Sequence, residues 1–184
     1  MATPAPALVT TTFFDQIGIK YEQAFGHDPG LLNFITRALS LIPAHASVLD
    51  VGCGTGKPVA ATVSRSGRKV HGIDVSSTMV ALSRQQVPDG TFEEISMFEF
   101  SPPAQYDAVF TIFCLFNMGG DLVGPLMKKI NSWVVPGGYL FIGTMVADDF
   151  AEGDMLDEED AYGGRHVPTR FMGNNASTLV YSRE

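Results

Sequence analysis

The stretch Val48 to Pro58, VLDVGCGTGKP, places three glycines at alternate positions directly after a short apolar and acidic run. Glycine lacks a Cβ and adopts positive φ readily, so alternate glycines disfavour both a well-packed helix and a strong strand. They leave bare main chain that another group can approach closely. The stretch therefore predicts a binding loop between a strand and a helix.

Short apolar runs and helical patterns alternate on both sides of this loop. Strands are predicted at 47–51, 69–74, 106–112 and 139–144, and helices at 58–65, 76–86 and 122–134. Strands that alternate with helices indicate parallel strands joined by helical crossovers. The pattern predicts an α/β fold, a doubly wound Rossmann-like sandwich with a mostly parallel sheet. Ligands of such sheets bind at the carboxyl ends of the strands, where this loop lies.

With 184 residues and 45% hydrophobic content, the chain suits one domain, 1–184. We expect an N-terminal helical cap at 1–45, a core at 46–145, and a segment at 146–184 with an acidic run and a C-terminal antiparallel strand pair. The cap is predicted as one amphipathic helix over 13–25 and a second that starts at Asp28-Pro29 and ends at Pro43.

The net charge of −8 is concentrated in one segment, because eight acidic residues fall within 148–160 and the rest of the chain is balanced. We interpret this run as a solvated surface; a docking site for a basic partner is the alternative. Without a basic stripe, a nucleic-acid partner is disfavoured.

No apolar run suits a membrane span and no secretory start is visible, which favours a soluble, cytoplasmic protein. The two cysteines form no CxxC motif or Cys/His cluster, so neither a disulfide nor a metal site is expected.

The spacing of the glycine loop separates its possible ligands. A triphosphate loop needs Ser or Thr after Lys57, where this chain has Pro58, and the loop misses the dinucleotide pattern GxGxxG by one place. Asp50, two residues before the first glycine, would repel phosphate and attract an ammonium group. Asp74, at the end of the second strand, could accept hydrogen bonds from both hydroxyls of a ribose. The expected ligand has a ribose, a cationic group and no phosphate.

Four segments, VLDVGCGTG, GIDVSSTMV, YDAVFTIFCLFNM and VVPGGYLFIGT, occur in the order and spacing of a known family. Over 14–144 the chain resembles the class I S-adenosylmethionine-dependent methyltransferases. The resemblance implies S-adenosylmethionine as cofactor, a small-molecule methyl acceptor and a methyltransferase sandwich. The family usually continues with a helix and two further sheet strands that this sequence lacks, so an exposed fifth strand is expected. A homodimer, a truncated form of the chain and a degenerate paralogue are the three explanations that this edge leaves open. A catalytically reduced or inactive subunit that works through a partner chain is the alternative.

The resemblance also implies which residues hold the cofactor. The methionine part would meet residues of the glycine loop and Phe113, which follows the strand 106–112, and Asp74 would hold the ribose. The adenine would contact residues after the strand 69–74 and residues of the segment FEEISMFEF, with an N-terminal tyrosine closing over the cofactor. These candidates are Tyr21, Asp50, Gly52, Cys53, Gly54, Asp74, Val75, Met79, Ser96, Met97 and Phe113. No catalytic side chain is predicted, and His27 is the one histidine to test as a base. Acceptor-pocket candidates, for which core packing is the alternative, are Phe13, Phe14, Phe116, Met118 and Phe171.

Overall fold

Five parallel strands form the central sheet in the computed structural model, which describes residues 6–116, 118–154, 159–160 and 162–182. The strands are β1 Ser47–Val51, β2 Lys69–Asp74, β3 Thr91–Glu94, β4 Tyr106–Ile112 and β5 Val134–Gly143. Their spatial order is β3-β2-β1-β4-β5, so the winding direction reverses between β1 and β4. The predicted α/β, doubly wound fold is confirmed. A crevice at the carboxyl ends of β1 and β4 is where such a sheet binds ligands.

Helices cover both faces of the sheet. They are α1 Pro6–Ile17, α2 Ile19–Phe25, α3 Pro29–Leu41, α4 Val59–Arg65, α5 Ser77–Gln86 and α6 Gly120–Asn131. Neighbouring residues of a strand point to opposite faces. Val48 accordingly packs into a buried cluster with residues of α3, α4 and α5, whereas Leu49 packs into a second cluster with residues of α6. The crossover helices thereby bury an apolar layer on each side of the sheet.

The N-terminal segment is two helices rather than the single one expected over 13–25. The break falls at Gly18, whose φ of +43° lies in the left-handed region that favours glycine. A Cβ at Gly18 would lie 3.4 Å from the Thr78 side chain, so the bend also brings the chain close to α5. The second predicted helix, α3, begins at Pro29, and its N-cap Asp28 accepts a hydrogen bond from the Leu31 amide.

Two strands of the sheet differ from the sequence prediction. Strand β3 was not anticipated, because Phe92 is its only buried residue and it therefore shows no apolar run. Strand β5 begins at Val134, five residues earlier than expected, and continues through Pro136-Gly137-Gly138. A register shift between Tyr106 and Ala108 of β4 accommodates the extra residues.

A separate antiparallel hairpin, β6 Gly164–Phe171 and β7 Asn174–Tyr181, follows the sheet. Its turn contains Met172 and Gly173, both at positive φ. The hairpin confirms the predicted C-terminal antiparallel strand pair. The hairpin is joined to the loop after β4 by a hydrogen bond from the Leu179 amide to the Phe116 carbonyl.

The described part of the acidic run is mostly exposed. Asp148, Asp149, Glu152 and Asp154 lie at the surface, and Glu152 pairs with Arg165 of β6. Asp160 is half-buried and accepts hydrogen bonds from the amides of Tyr162 and Gly164. Within the described ranges, no helix has both the length and the apolar character needed to cross a bilayer.

Candidate functional site

A cavity of about 320 Å³ opens at the carboxyl ends of β1, β2, β3 and β4. Its walls come from the loops that follow these four strands and from the N-terminal helices above them. This volume lies at the lower end of the range for small-molecule sites. Apolar side chains make up most of the lining, and its polar groups include the main chain of the glycine loop and the side chains of Tyr21, Asp74 and Ser96.

The glycine loop forms the floor of the cavity. Gly52 and Gly54 both have positive φ, of +70° and +53°. A Cβ at Gly52 would lie 2.5 Å from the Cβ of Cys114, so only a glycine lets the loop pass beneath the end of β4. A Cβ at Gly54 would meet no atom within 4 Å. Bare main chain is thus presented to the cavity, as the sequence predicted.

Asp74 closes the floor at the end of β2. Its Oδ2 accepts a hydrogen bond from the Gly54 amide at 2.9 Å, and its Oδ1 accepts one from the Ser76 amide at 2.9 Å. Burial raises the pKa of this carboxyl, and the hydrogen bonds of these amides only partly offset the effect. The carboxylate is therefore held in a fixed orientation while its oxygens keep lone pairs for further donors.

Asp50 is buried directly behind the glycine loop. Only 2% of the residue is exposed, and its Oδ2 has no hydrogen-bond partner among the described residues. Burial and, to a smaller extent, the charge of Asp74 raise the pKa of Asp50 to about 7, although a hydrogen bond from the Ala60 amide acts in the opposite direction. An unpaired buried carboxylate is costly, so a cationic group bound nearby would stabilise this arrangement.

The end of β4 contributes a strained residue to the wall. Phe113 has a φ of +52°, which is unfavourable for an aromatic residue, and its amide donates to the Gly143 carbonyl of β5. Strain of this kind persists where surrounding structure holds it, and it is common at ligand sites. Phe113 thereby remains 36% exposed, facing the cavity beside Cys114.

Tyr21 and Phe14 reach the cavity from the N-terminal helices. Burial raises the pKa of Tyr21 to about 12, and the nearby groups of Cys114, Asp74 and Asp50 act in the same direction. Tyr21 is therefore a neutral phenol at physiological pH, able to donate a hydrogen bond but unsuited to act as a base.

An aromatic cluster lies over these two side chains. Phe171 of the hairpin has its ring centroid within 6.4 Å of five other aromatic rings. These rings belong to Phe13, Phe14, Tyr21, Phe25 and Phe116. Of the five acceptor-pocket candidates, Phe14 and Met118 line the cavity, and the other three belong to this cluster.

The structure brings most of the predicted cofactor residues to one place. Nine of the eleven line the cavity: Tyr21, Gly52, Gly54, Asp74, Val75, Met79, Ser96, Met97 and Phe113. Asp50 and Cys53 are buried and lie outside the lining residues. His27, the candidate base, is exposed between α2 and α3 and also lies outside the lining residues.

Several lining residues were not predicted, among them Cys114, Phe98 and Leu122. Cys114 and Phe98 directly follow predicted residues, Phe113 and Met97, so continuing each loop by one position would have found them. Burial raises the pKa of the Cys114 thiol, and the charges of Asp50 and Asp74 raise it further, so this thiol is a packing group rather than a nucleophile.

Comparison with known proteins adds to this geometry. A family model described as a methyltransferase domain matches residues 48–138, which contain the glycine loop, Asp74, the strands β2 to β4 and all of β1 except Ser47. Together with the relatives and the solved structure described below, this match supports a class I S-adenosylmethionine-dependent methyltransferase family for the chain. The match covers the floor and most of the walls of the cavity.

Two curated relatives extend the methyltransferase comparison. A dTDP-3-amino-3,6-dideoxy-alpha-D-glucopyranose N,N-dimethyltransferase of Streptomyces fradiae is 30% identical over 105 residues, which are 54% of this chain and 40% of that protein. An uncharacterized methyltransferase of Bacillus cytotoxicus is 23% identical over 166 residues, 90% of this chain and 74% of that protein. The chain thus spans about two-fifths of the first relative's length.

A solved methyltransferase structure shares the fold. The amino pentose methyltransferase CalS10 of Micromonospora echinaspora, solved with bound S-adenosylmethionine, has a TM-score of 0.66 and 22% identity. The similarity covers 89% of this chain and 83% of CalS10. At this level of identity the comparison establishes the shared architecture.

Proposed function

We propose that this chain transfers the methyl group of S-adenosylmethionine to a small-molecule acceptor. The observation that carries the proposal is the cavity floor, where bare glycine main chain lies between Asp74 and the buried Asp50, whose Oδ2 has no hydrogen-bond partner among the described residues. This donor set suits a ligand with a cationic amino-acid end and a ribose, and it does not suit a pyrophosphate.

Each part of the floor has a role in this proposal. Asp74 accepts hydrogen bonds from the ribose hydroxyls through the lone pairs that Gly54 and Ser76 leave free. Asp50, acting through the loop in front of it, supplies the negative charge that favours the cationic end. When bound, S-adenosylmethionine supplies a methyl group on a positively charged sulfur, which is open to direct displacement.

The apolar walls of the cavity support the proposal because they exclude water. Phe14, Phe113 and Met118 surround the cavity with apolar groups that keep water away from the reacting atoms. Ser96 and Met97 contribute polar groups for the adenine, through a side chain and a main-chain amide. Methyl transfer by direct displacement depends mainly on placement, with the reacting atoms held about 3 to 3.5 Å apart.

The acceptor in this proposal is nucleophilic without help from a strong base. Among the described residues the cavity lining contains no histidine, and its one carboxylate, Asp74, is engaged by the floor. An unprotonated amine fits this requirement better than an aliphatic alcohol, whose high pKa would demand a base. The names of the Streptomyces fradiae relative and CalS10 refer to amino sugars, so amines are the first acceptors to test.

A turnover assay tests the proposal. The chain is incubated with S-adenosylmethionine and a panel of amines, phenols and carboxylates, and formation of S-adenosylhomocysteine and methylated product is followed by mass spectrometry. We expect an amine acceptor to give both products in equal amounts. Failure of the wild-type chain to bind S-adenosylmethionine would contradict the proposal. Binding without any turnover would instead favour the subunit alternative, which no observation on the described residues supports at present.

We also propose that the chain forms a homodimer through β5 and acts in the cytoplasm. Support for the dimer comes from the edge position of β5, on which Tyr139 and Ile142 are 39% and 45% exposed. The cytoplasmic location stays a prediction of the sequence.

A further inference from the structure

Glu22 of α2 is a buried carboxylate that the proposed chemistry does not use. Only 8% of the residue is exposed, although it belongs to a helix that lies at the surface of the fold. Burial raises the pKa of Glu22, but hydrogen bonds, led by that of Gln86, outweigh this effect and leave the pKa below its ordinary value. The carboxylate is therefore charged and firmly held at neutral pH.

The partners of Glu22 lie on two elements of the cofactor-binding core. Its Oε1 is 3.1 Å from Nζ of Lys57, the residue directly after the glycine loop. Its Oε2 accepts a hydrogen bond from Nε2 of Gln86 at 2.6 Å, at the end of α5. Gln86 also donates to the Thr55 carbonyl inside the loop, at 3.1 Å. These contacts connect α2 to the glycine loop directly.

Lys57 gains a role from this arrangement. A lysine after a glycine loop often binds phosphate, but the residue after it here is Pro58 and the cavity floor is acidic. The Lys57 ammonium is instead neutralised by Glu22, with 38% of the lysine side chain exposed. Lys57 therefore anchors α2 to the glycine loop instead of binding a phosphate.

A second carboxylate fixes the neighbouring helix. Oδ1 of Asp15, on α1, accepts hydrogen bonds from the Ser76 hydroxyl at 2.5 Å and from the Thr78 amide at 3.2 Å. Asp15 directly follows Phe14, just as Glu22 directly follows Tyr21, and both aromatic residues line the cavity. The two helices meet at Gly18, so each has its own polar anchor on the core.

We propose that Glu22, paired with Lys57 and Gln86, is a positioning residue that holds α2 closed over the cavity and fixes Tyr21 against the bound cofactor. The inference rests on the proposed function, because it assigns the ligand to S-adenosylmethionine. Without this pairing, α2 would leave the core more often, and the cofactor would dissociate faster.

Two measurements on purified full-length protein test this role. Calorimetry with S-adenosylmethionine gives the Kd, and stopped-flow displacement gives the dissociation rate. We expect Glu22→Ala to raise both by about tenfold. Glu22→Gln, which keeps one acceptor oxygen, should show a smaller change. In Glu22→Ala/Lys57→Ala the combined effect should be smaller than the product of the single effects, because both changes remove the same contact.

Limited proteolysis detects the position of α2 without any ligand. Lys20 is exposed on α2, and Arg37 is exposed on α3, so trypsin can report on both helices in one sample. We expect cleavage after Lys20 to be about tenfold faster in Glu22→Ala, with cleavage after Arg37 unchanged. The matched control is Gln23→Ala, at an exposed position of the same helix, which should behave like the wild type.

The outcomes separate this inference from the proposed function. If the wild type binds S-adenosylmethionine and Glu22→Ala binds it with the same Kd and dissociation rate, the positioning role is wrong and the proposed function stands. Equal acceleration of cleavage at Lys20 and Arg37 would indicate general destabilisation and would also overturn the inference. If the wild type does not bind S-adenosylmethionine, the proposed function and this inference are both wrong.

Discussion

The Asp50 carboxyl, buried behind the glycine loop, has its pKa raised to about 7 by burial and by the charge of Asp74. A bound cation favours the ionised form, so ligand binding and deprotonation of Asp50 are linked. Above pH 7 the free protein already carries the charge. Below pH 7 a proton must be released on binding, which weakens the affinity.

We therefore expect the affinity for S-adenosylmethionine to fall as the pH is lowered. With a pKa of about 7 in the free protein, the Kd should rise about tenfold between pH 8 and pH 6, since one pKa unit corresponds to a factor of ten. Calorimetric titrations across this range measure the change. Asp50→Asn, which cannot ionise, provides the control and should show a flatter profile. Identical slopes for the two proteins would exclude Asp50 as the source.

The sequence marks Asp50 and Asp74 as candidate ligand-binding residues, but it does not give the direction of the Asp50 side chain. Residues two apart on a strand point to the same face. Asp50 therefore shares the face of Val48, which is buried against α3 and α4, and its carboxyl lies near the Ala60 amide rather than in the cavity wall. That outcome depends on the register of β1 within the sheet, which a short apolar run does not specify.

At the scale of the element, the glycine loop needs its first two glycines for different reasons. Gly52 and Gly54 both have left-handed φ, but only at Gly52 would a Cβ collide with a neighbour, at 2.5 Å from the Cβ of Cys114. Gly54 has open space in front of it, on the side of the cavity. The first glycine permits packing, and the second leaves room for a ligand.

Alanine substitutions at the two positions should therefore differ. Gly54→Ala should lower the free energy of unfolding by about 1 kcal/mol, the cost of left-handed φ for alanine. Gly52→Ala should cost about 2–4 kcal/mol, because the collision with Cys114 is added. Urea unfolding followed by circular dichroism measures both values. Equal losses for the two variants would contradict the packing role of Gly52.

Element prediction succeeded where a local pattern was strong and failed where distant contacts decide. Strands β1 and β4 are largely buried and β2 has three buried residues, and all three were predicted, whereas β3 has one buried residue, Phe92, and was missed. The break at Gly18 was missed because the apolar period continues across it. The bend is set by contact with Thr78 on α5, sixty residues further along the chain.

At the scale of the whole molecule, the alternation of strands and helices was sufficient to predict the parallel sheet, and the position of the glycine loop was sufficient to locate the cavity. The aromatic cluster around Phe171, which lies over the cavity, was not predictable to the same degree. Phe171 meets the rings of Phe14 and Tyr21 only because the hairpin folds back over α1 and α2. Such long-range contacts leave no periodic signal in the sequence.

The central claim is that acidic groups around bare glycine main chain hold S-adenosylmethionine, and Asp74 tests it most directly. The measurement is the calorimetric Kd of wild type and Asp74→Asn for S-adenosylmethionine at pH 8, with Asp89→Asn, at an exposed turn position, as the matched control. We predict binding by the wild type and by Asp89→Asn with equal Kd. We predict a Kd between about tenfold and 100-fold higher for Asp74→Asn, because charged hydrogen bonds are lost. An unchanged Kd for Asp74→Asn, or no binding by the wild type, would contradict the account.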